Sequence, residues 1–249
     1  MSFIGTLNFW EREQMNYEYI LALVVLCIVF AIGLCVMKYV RNYKLGNFIF
    51  IAVIYLSYLA LVLYVYKTDD DPTRWNFLNT LPCANVSPFM FSIMPLLLVL
   101  PKKFRAHVYL LVSLLAVGMF FSTLLGCVGN ALRGYNFHWH FMLDYLAHIV
   151  LALFGIYLIL TGQAKPNAKN FIKSTSIIYV VATIMLILNV IFDTSFFGLS
   201  LNGKHNIYNM VIVENSYLSA VIYYLGVGIV LGLGYGLCKL IDKDKYRII

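Results

Sequence analysis

Long apolar runs alternate along this chain with short polar gaps. Seven runs stand out, over residues 18–38, 46–66, 79–100, 107–127, 139–161, 174–195 and 217–239. Each approaches the roughly 20 residues a helix needs to cross a bilayer. Backbone polar groups in lipid have to be satisfied within their own segment, so the runs predict helices. The first is not a cleavable signal peptide, because Glu11, Glu13 and Glu18 stand at its start and no small-residue cleavage site follows. The expected fold is therefore all-α: a polytopic membrane protein, a seven-transmembrane-helix bundle, in one domain spanning 1–249.

Composition strengthens this reading. Of 249 residues, 62% are hydrophobic and 12% charged, where a soluble domain carries about 25% charged. The mean hydropathy is +0.83. A globule this small cannot bury so much apolar surface, and the remainder has to face lipid. Disorder, collagen, coiled coil and a disulfide scaffold are excluded by the same composition.

The net charge of +7 does not point to a nucleic-acid partner, because most basic residues sit in gaps between runs. The gaps after the first, third and fifth runs and the C-terminal tail hold 13 Lys and Arg, and the other side holds 5: Arg12, Lys67, Arg74, Arg133 and Lys204. The positive-inside rule then places the N-terminus outside and the C-terminus in the cytoplasm. The outer gaps carry Trp10, Trp75, Tyr135, Phe137 and Trp139, which fit an interfacial belt.

Ionisable groups inside a span are costly unless paired, so they mark where to look for function. In the fifth run, Asp144 and His148 are four residues apart and share a helix face. From Trp139, His148 lies roughly 14 Å deep at 1.5 Å per residue. A carboxylate there would fix the histidine tautomer and hold its ring, the arrangement of an oriented general base; a polar pair joining helices is the plainer alternative. His138 and His140, nearer the interface, are expected to be solvated. The three histidines do not share a face and no HExxH motif is present, so no metal is expected.

The third run opens with a polar, proline-broken stretch, Asn79 to Pro88, which contains Cys83 and Asn85. Cys83, roughly 6–10 Å deep at 1.5 Å per residue, is expected on the same side of the bilayer as His148. A thiol and an imidazole so placed could form a nucleophile–base pair. Asn85-Val86-Ser87 matches a glycosylation acceptor, discounted because it lies at the membrane. Cys27, Cys35, Cys127 and Cys238 read as apolar fillers. Asn189 sits in the apolar middle of the sixth run, and Asp193 and Glu214 lie at the outer side, where they either line a shared cavity or are solvated helix ends. Gly228, Gly232 and Gly236 form a ladder for close helix packing, with a helix of the same chain or of another copy as the partner. No phosphate loop, GxSxG or dinucleotide fingerprint is present, and no cofactor is expected.

Three short segments carry a family resemblance: Leu81-Pro82-Cys83 with Asn85, Ala147-His148-Ile149-Val150-Leu151, and Asn209-Met210. They resemble motifs of the YwaF-type bacterial integral membrane proteins, which are related to an animal membrane acyltransferase of the TMEM class. The resemblance implies transfer of a fatty acyl group between membrane lipids, with Cys83 and His148 acting together, in a bacterial plasma membrane. The animal relative has a histidine directly after the cysteine, where this chain has Ala84. Many bacterial members place their cysteine a few residues later, where this chain has Val86 and Ser87. On this reading Cys83 attacks a lipid ester from the outer leaflet, His148 removes the thiol proton, Asp144 orients His148, and Asn85 or Asn209 donates to the oxyanion. Asn189 and Glu214 complete the expected substrate-binding set, and contact between Cys83 and His148 is the structural expectation. The alternatives are a transporter with Asp144, His148 and Asn189 along a polar path, and a non-catalytic membrane subunit.

Overall fold

The computed structural model describes residues 16–37, 39–40, 42–67, 86–132, 137, 139–192 and 216–244. Every regular element among them is helical: α1 (Tyr17–Met37), α2 (Tyr43–Lys67), α3 (Val86–Ile93), α4 (Leu96–Val99), α5 (Lys102–Leu132), α6 (Trp139–Leu160), α7 (Ala168–Phe192) and α8 (Ser216–Asp244). Six of these, α1, α2, α5, α6, α7 and α8, are long and apolar enough to cross a membrane.

The third run departs from the single helix expected over 79–100. From Val86 onward it is two short helices broken at Met94–Pro95. Proline has no N–H, and its ring clashes with the carbonyl four residues back. The chain tightens instead, with Met94 N–H donating to Phe91 O at 3.4 Å and Leu97 N–H to Met94 O at 3.0 Å. Leu100 is extended (φ −60°, ψ 131°), as a residue before Pro101 tends to be.

The fold is organised around α6. Its most apolar stretch is 78% buried, against 17% in α1 and 22% in α7, so α6 runs inside the protein while the outer helices turn apolar faces to lipid. It packs against α1, α2, α5 and α8. Close approach to α5 depends on Gly155, where an added Cβ would run into Ala116 and come within 3.1 Å of the Ser113 backbone. At that crossing the Ser113 hydroxyl lies 2.9 Å from both Gly155 O and Tyr109 O. Residues of α6 that would be expensive in lipid are thereby placed in protein surroundings.

Contacts between helix ends gather into two layers. In one, Asn16 N–H donates to Ala131 O at 3.1 Å, and Tyr19 packs on Phe137 and Phe141. In the other, the amides of Asn47 and Gln163 pair at 2.7 and 3.2 Å, and Ser174 donates to His107 O at 2.7 Å. The α6–α7 turn belongs to this second layer. Its Gly162, at φ 68°, takes the left-handed conformation that lets the following N–H groups return to the Leu158 carbonyl at 2.9 Å. The basic residues Lys44, Lys102, Lys103, Arg105, Lys165, Lys169 and Lys173 fall at the helix ends and turn of this layer, in keeping with the charge asymmetry of the sequence.

The glycine ladder of α8 divides. Gly228 faces the Tyr179 hydroxyl of α7, whereas Gly232 and Gly236 meet nothing within 4 Å. The tight packing onto α5 comes from Gly234, where a Cβ would lie 2.6 Å from Leu114 O. Cys127 and Cys238 are buried fillers, while Cys27 and Cys35 face outward.

Candidate functional site

His148 is buried on α6, two and a half turns from Trp139. Its ring is held from three directions. Nδ1 lies 2.8 Å from the main-chain carbonyl of Asp144 and 3.4 Å from that residue's carboxyl Oδ1. Nε2 lies 2.8 Å from the hydroxyl of Ser87 on α3. The Phe91 ring, also on α3, meets the imidazole edge-on at 5.1 Å and 88°, and Tyr58 of α2 backs Phe91 at 5.9 Å.

These contacts assign the tautomer. A main-chain carbonyl only accepts, so Nδ1 carries the hydrogen when the imidazole is neutral. Nε2 then presents a lone pair, and the Ser87 hydroxyl donates to it. The Met119 sulfur, 3.4 Å from the same hydroxyl, is a weak acceptor at longer range and competes poorly for that single proton. Ser87 is half-buried, whereas His148 and Asp144 are buried. The result is a hydroxyl aligned on an imidazole whose other nitrogen meets a backbone carbonyl and, farther off, a carboxyl.

Asp144 meets His148 through two groups, its backbone carbonyl and its carboxyl. The shorter contact comes from its backbone carbonyl, which any residue at that position would supply. Its carboxyl stands farther off, as a supplementary partner to Nδ1. His140 is also a correction: it is buried at 2% exposure between Tyr64 and Phe141 rather than solvated, because α6 is enclosed by protein up to its first turn. Asn189 is buried on α7, which packs against α5 and α8. Cys83, Asn85, His138, Asp193, Asn209 and Glu214 lie outside the described residues.

Ser87 is not among the site residues the sequence singles out, and the structure brings it to His148. Ser87 stands eight residues past the start of its run, much as His148 stands nine past the start of the fifth.

A cavity of about 250 Å³ lies farther along α6, lined by Phe30, Ala116, Phe120, Ala152, Ile156 and Ile159 among others. Ala152 and Ile159, four and eleven residues beyond His148, continue its helix face. Among the described residues no group of three or more His, Cys, Asp or Glu could hold a metal ion.

Enclosed polar chemistry within lipid-facing helices defines a multi-pass α-helical membrane protein with an intramembrane Ser–His–Asp cluster. The family model of the TMEM164 family matches residues 9–235, and the chain belongs to that family. No curated protein and no solved structure matches it.

Proposed function

We propose that this protein is an integral membrane acyltransferase or transacylase that moves a fatty acyl group between lipids, with His148 as its general base. The observation carrying this reading is the 2.8 Å contact between a hydroxyl and Nε2 of a buried, oriented imidazole. Acyl transfer needs such a base to take a proton from the attacking group and return it to the leaving group. The resemblance of residues 81–85, 147–151 and 209–210 to the YwaF-type proteins and their animal acyltransferase relative supports the same chemistry. The apolar cavity farther along α6 suits an acyl chain. The helix face below His148 continues as Ala152 and Ile159, which favours a lipid tail over the polar path a proton-coupled carrier requires. By the charge pattern, the substrates enter from the leaflet opposite the basic layer, in a bacterial plasma membrane.

Purified protein in nanodiscs with acyl-labelled phospholipid tests this reading. Time-dependent transfer of label to a lysolipid or alcohol acceptor is expected. Absence of transfer across zwitterionic and anionic phospholipids and neutral glycerolipids would defeat it. In the same assay Asp144→Asn is expected to lose only about tenfold in rate, because the backbone carbonyl still sets the tautomer. A loss of about 10⁴-fold, as when a carboxylate alone holds the histidine, would show that the carboxyl orients the ring.

A further inference from the structure

We infer that the cavity bounded by α1, α5, α6 and α8 is a binding site for one acyl chain of a membrane phospholipid, which enters sideways from the bilayer past Phe121 and Leu237. His148 is not among the lining residues, and occupancy is read by binding, so this inference and the acyl-transfer reading fail separately.

The cavity follows from where small and large side chains fall. Ser113, Ala116, Ala152 and Gly155 line it from the α5–α6 crossing, and side chains of that size fill little space. α1 and α8 each pack on both of those helices and supply bulky walls. Phe30 of α1 lies against Phe120 with ring centroids 4.7 Å apart, and α8 contributes Leu237 and Ile241. A volume of about 250 Å³ is left between them. From Ala152 to Ile159 it follows α6 for about 10 Å, at 1.5 Å per residue.

The chemistry of the lining selects the occupant. Its polar side-chain groups are the Ser113 hydroxyl and the Cys238 thiol. The hydroxyl is turned to the Tyr109 and Gly155 carbonyls, and a thiol is a weak donor. A buried water needs roughly two to four polar partners, so the cavity does not hold one stably. Left empty, the lining atoms would forfeit dispersion contacts, which a hydrocarbon chain restores. A dry apolar cavity of about 150 Å³ already takes up benzene, and this one is larger. Phe121 is 52% and Leu237 41% exposed, and both also line the cavity, so it is continuous with the lipid-facing surface. The medium at that opening is hydrocarbon. Leu237, Cys238 and Ile241 flank Lys239, and Ile159 is the last but one residue of α6. The cavity therefore lies toward the basic layer, while His148 lies toward the other end of α6.

Two measurements on the full chain, purified in a steroid-tailed detergent that offers no alkyl chain, test the site. In the first, phosphatidylcholine carrying a diazirine in one acyl chain is titrated in, photolysed and mapped by mass spectrometry. Labelling of the α6 and α8 lining, residues 152–159 and 237–241, is expected to saturate. Labelling of the exposed α7 residues Ile184, Ile187 and Ile191 should rise in proportion to lipid. In Ala152→Leu and Ile156→Phe, which fill the cavity from two sides, the saturable label should fall at least fivefold. Lining label that rises in proportion to lipid, or that persists in both variants, would overturn the proposal.

The second measurement is thermal unfolding with and without unlabelled phosphatidylcholine. A chain bound to the folded state raises the midpoint by mass action. The lipid-induced rise should be about 3 °C greater in the wild type than in either variant, the scale of a modest binding energy in a chain of this size. Ala152→Leu without lipid should unfold no earlier than the wild type, because a filled void replaces an empty one, and this guards against reading a folding defect as lost binding. Equal lipid-induced rises in the wild type and both variants would show that the cavity takes no chain.

Discussion

His148→Gln is expected to lower acyl transfer by about 10³-fold or more while the protein remains folded. That factor corresponds to about 4 kcal/mol of transition-state stabilisation, within the range for removing a positioned general base from a group that works as a unit. Glutamine keeps a side chain of comparable length beside Phe91, and its amide can still hydrogen-bond to Ser87. What it cannot do is take up a proton and give it back. The ring lies within one well-packed neighbourhood of α3 and α6, so the change in stability should stay near 1 kcal/mol. Initial rates with labelled phospholipid, measured beside thermal unfolding in the same detergent, separate the two effects. Activity within tenfold of wild type would show that His148 is a helix-joining residue and not a base.

Gly155→Val is expected to be the most damaging change away from the site. A Cβ at Gly155 would collide with Ala116 and crowd the Ser113 backbone, neither of which is the movable end of a flexible chain. The helices have to separate, which lengthens the Ser113 hydrogen bond to Gly155 O and loosens the packing of α5 on α6. Overpacking of a tight core costs about 3 kcal/mol at the upper end of its usual range. α5 also carries Met119, which touches Ser87, so the rate should fall along with stability. Gly232→Ala provides the contrast, since nothing lies within 4 Å of that position, and no loss of stability is expected. Unfolding midpoints for both variants decide the matter: equal midpoints would mean that the α5–α6 crossing tolerates separation.

Much of this architecture was legible in the residues. A run such as 139–161 is too long and too apolar for anything but a membrane helix, and the Asp144–His148 spacing puts both groups on one face whatever surrounds them. The basic gaps are likewise properties of local sequence, and they reappear as one layer of helix ends. Position in the bundle was a different matter. The ionisable residues of α6 mark a face that avoids lipid, but not that nearly the whole helix is enclosed by protein. His140 was misjudged for that reason: its nearness to the helix end suggested water, and its neighbours from α2 and α6 replaced the water with rings.

The sequence by itself determined the class of protein, the number and rough limits of its apolar runs, their charge asymmetry and the candidate base, because each follows from hydrophobicity, helical periodicity or the cost of a buried ionisable group. Only the tertiary structure decided that Nδ1 of His148 meets the backbone carbonyl of Asp144 more closely than its carboxyl, and that Ser87 faces Nε2. Those facts depend on the rotation and depth of α3 against α6, fixed by contacts between residues 61 positions apart. No local pattern encodes the distance between two helices.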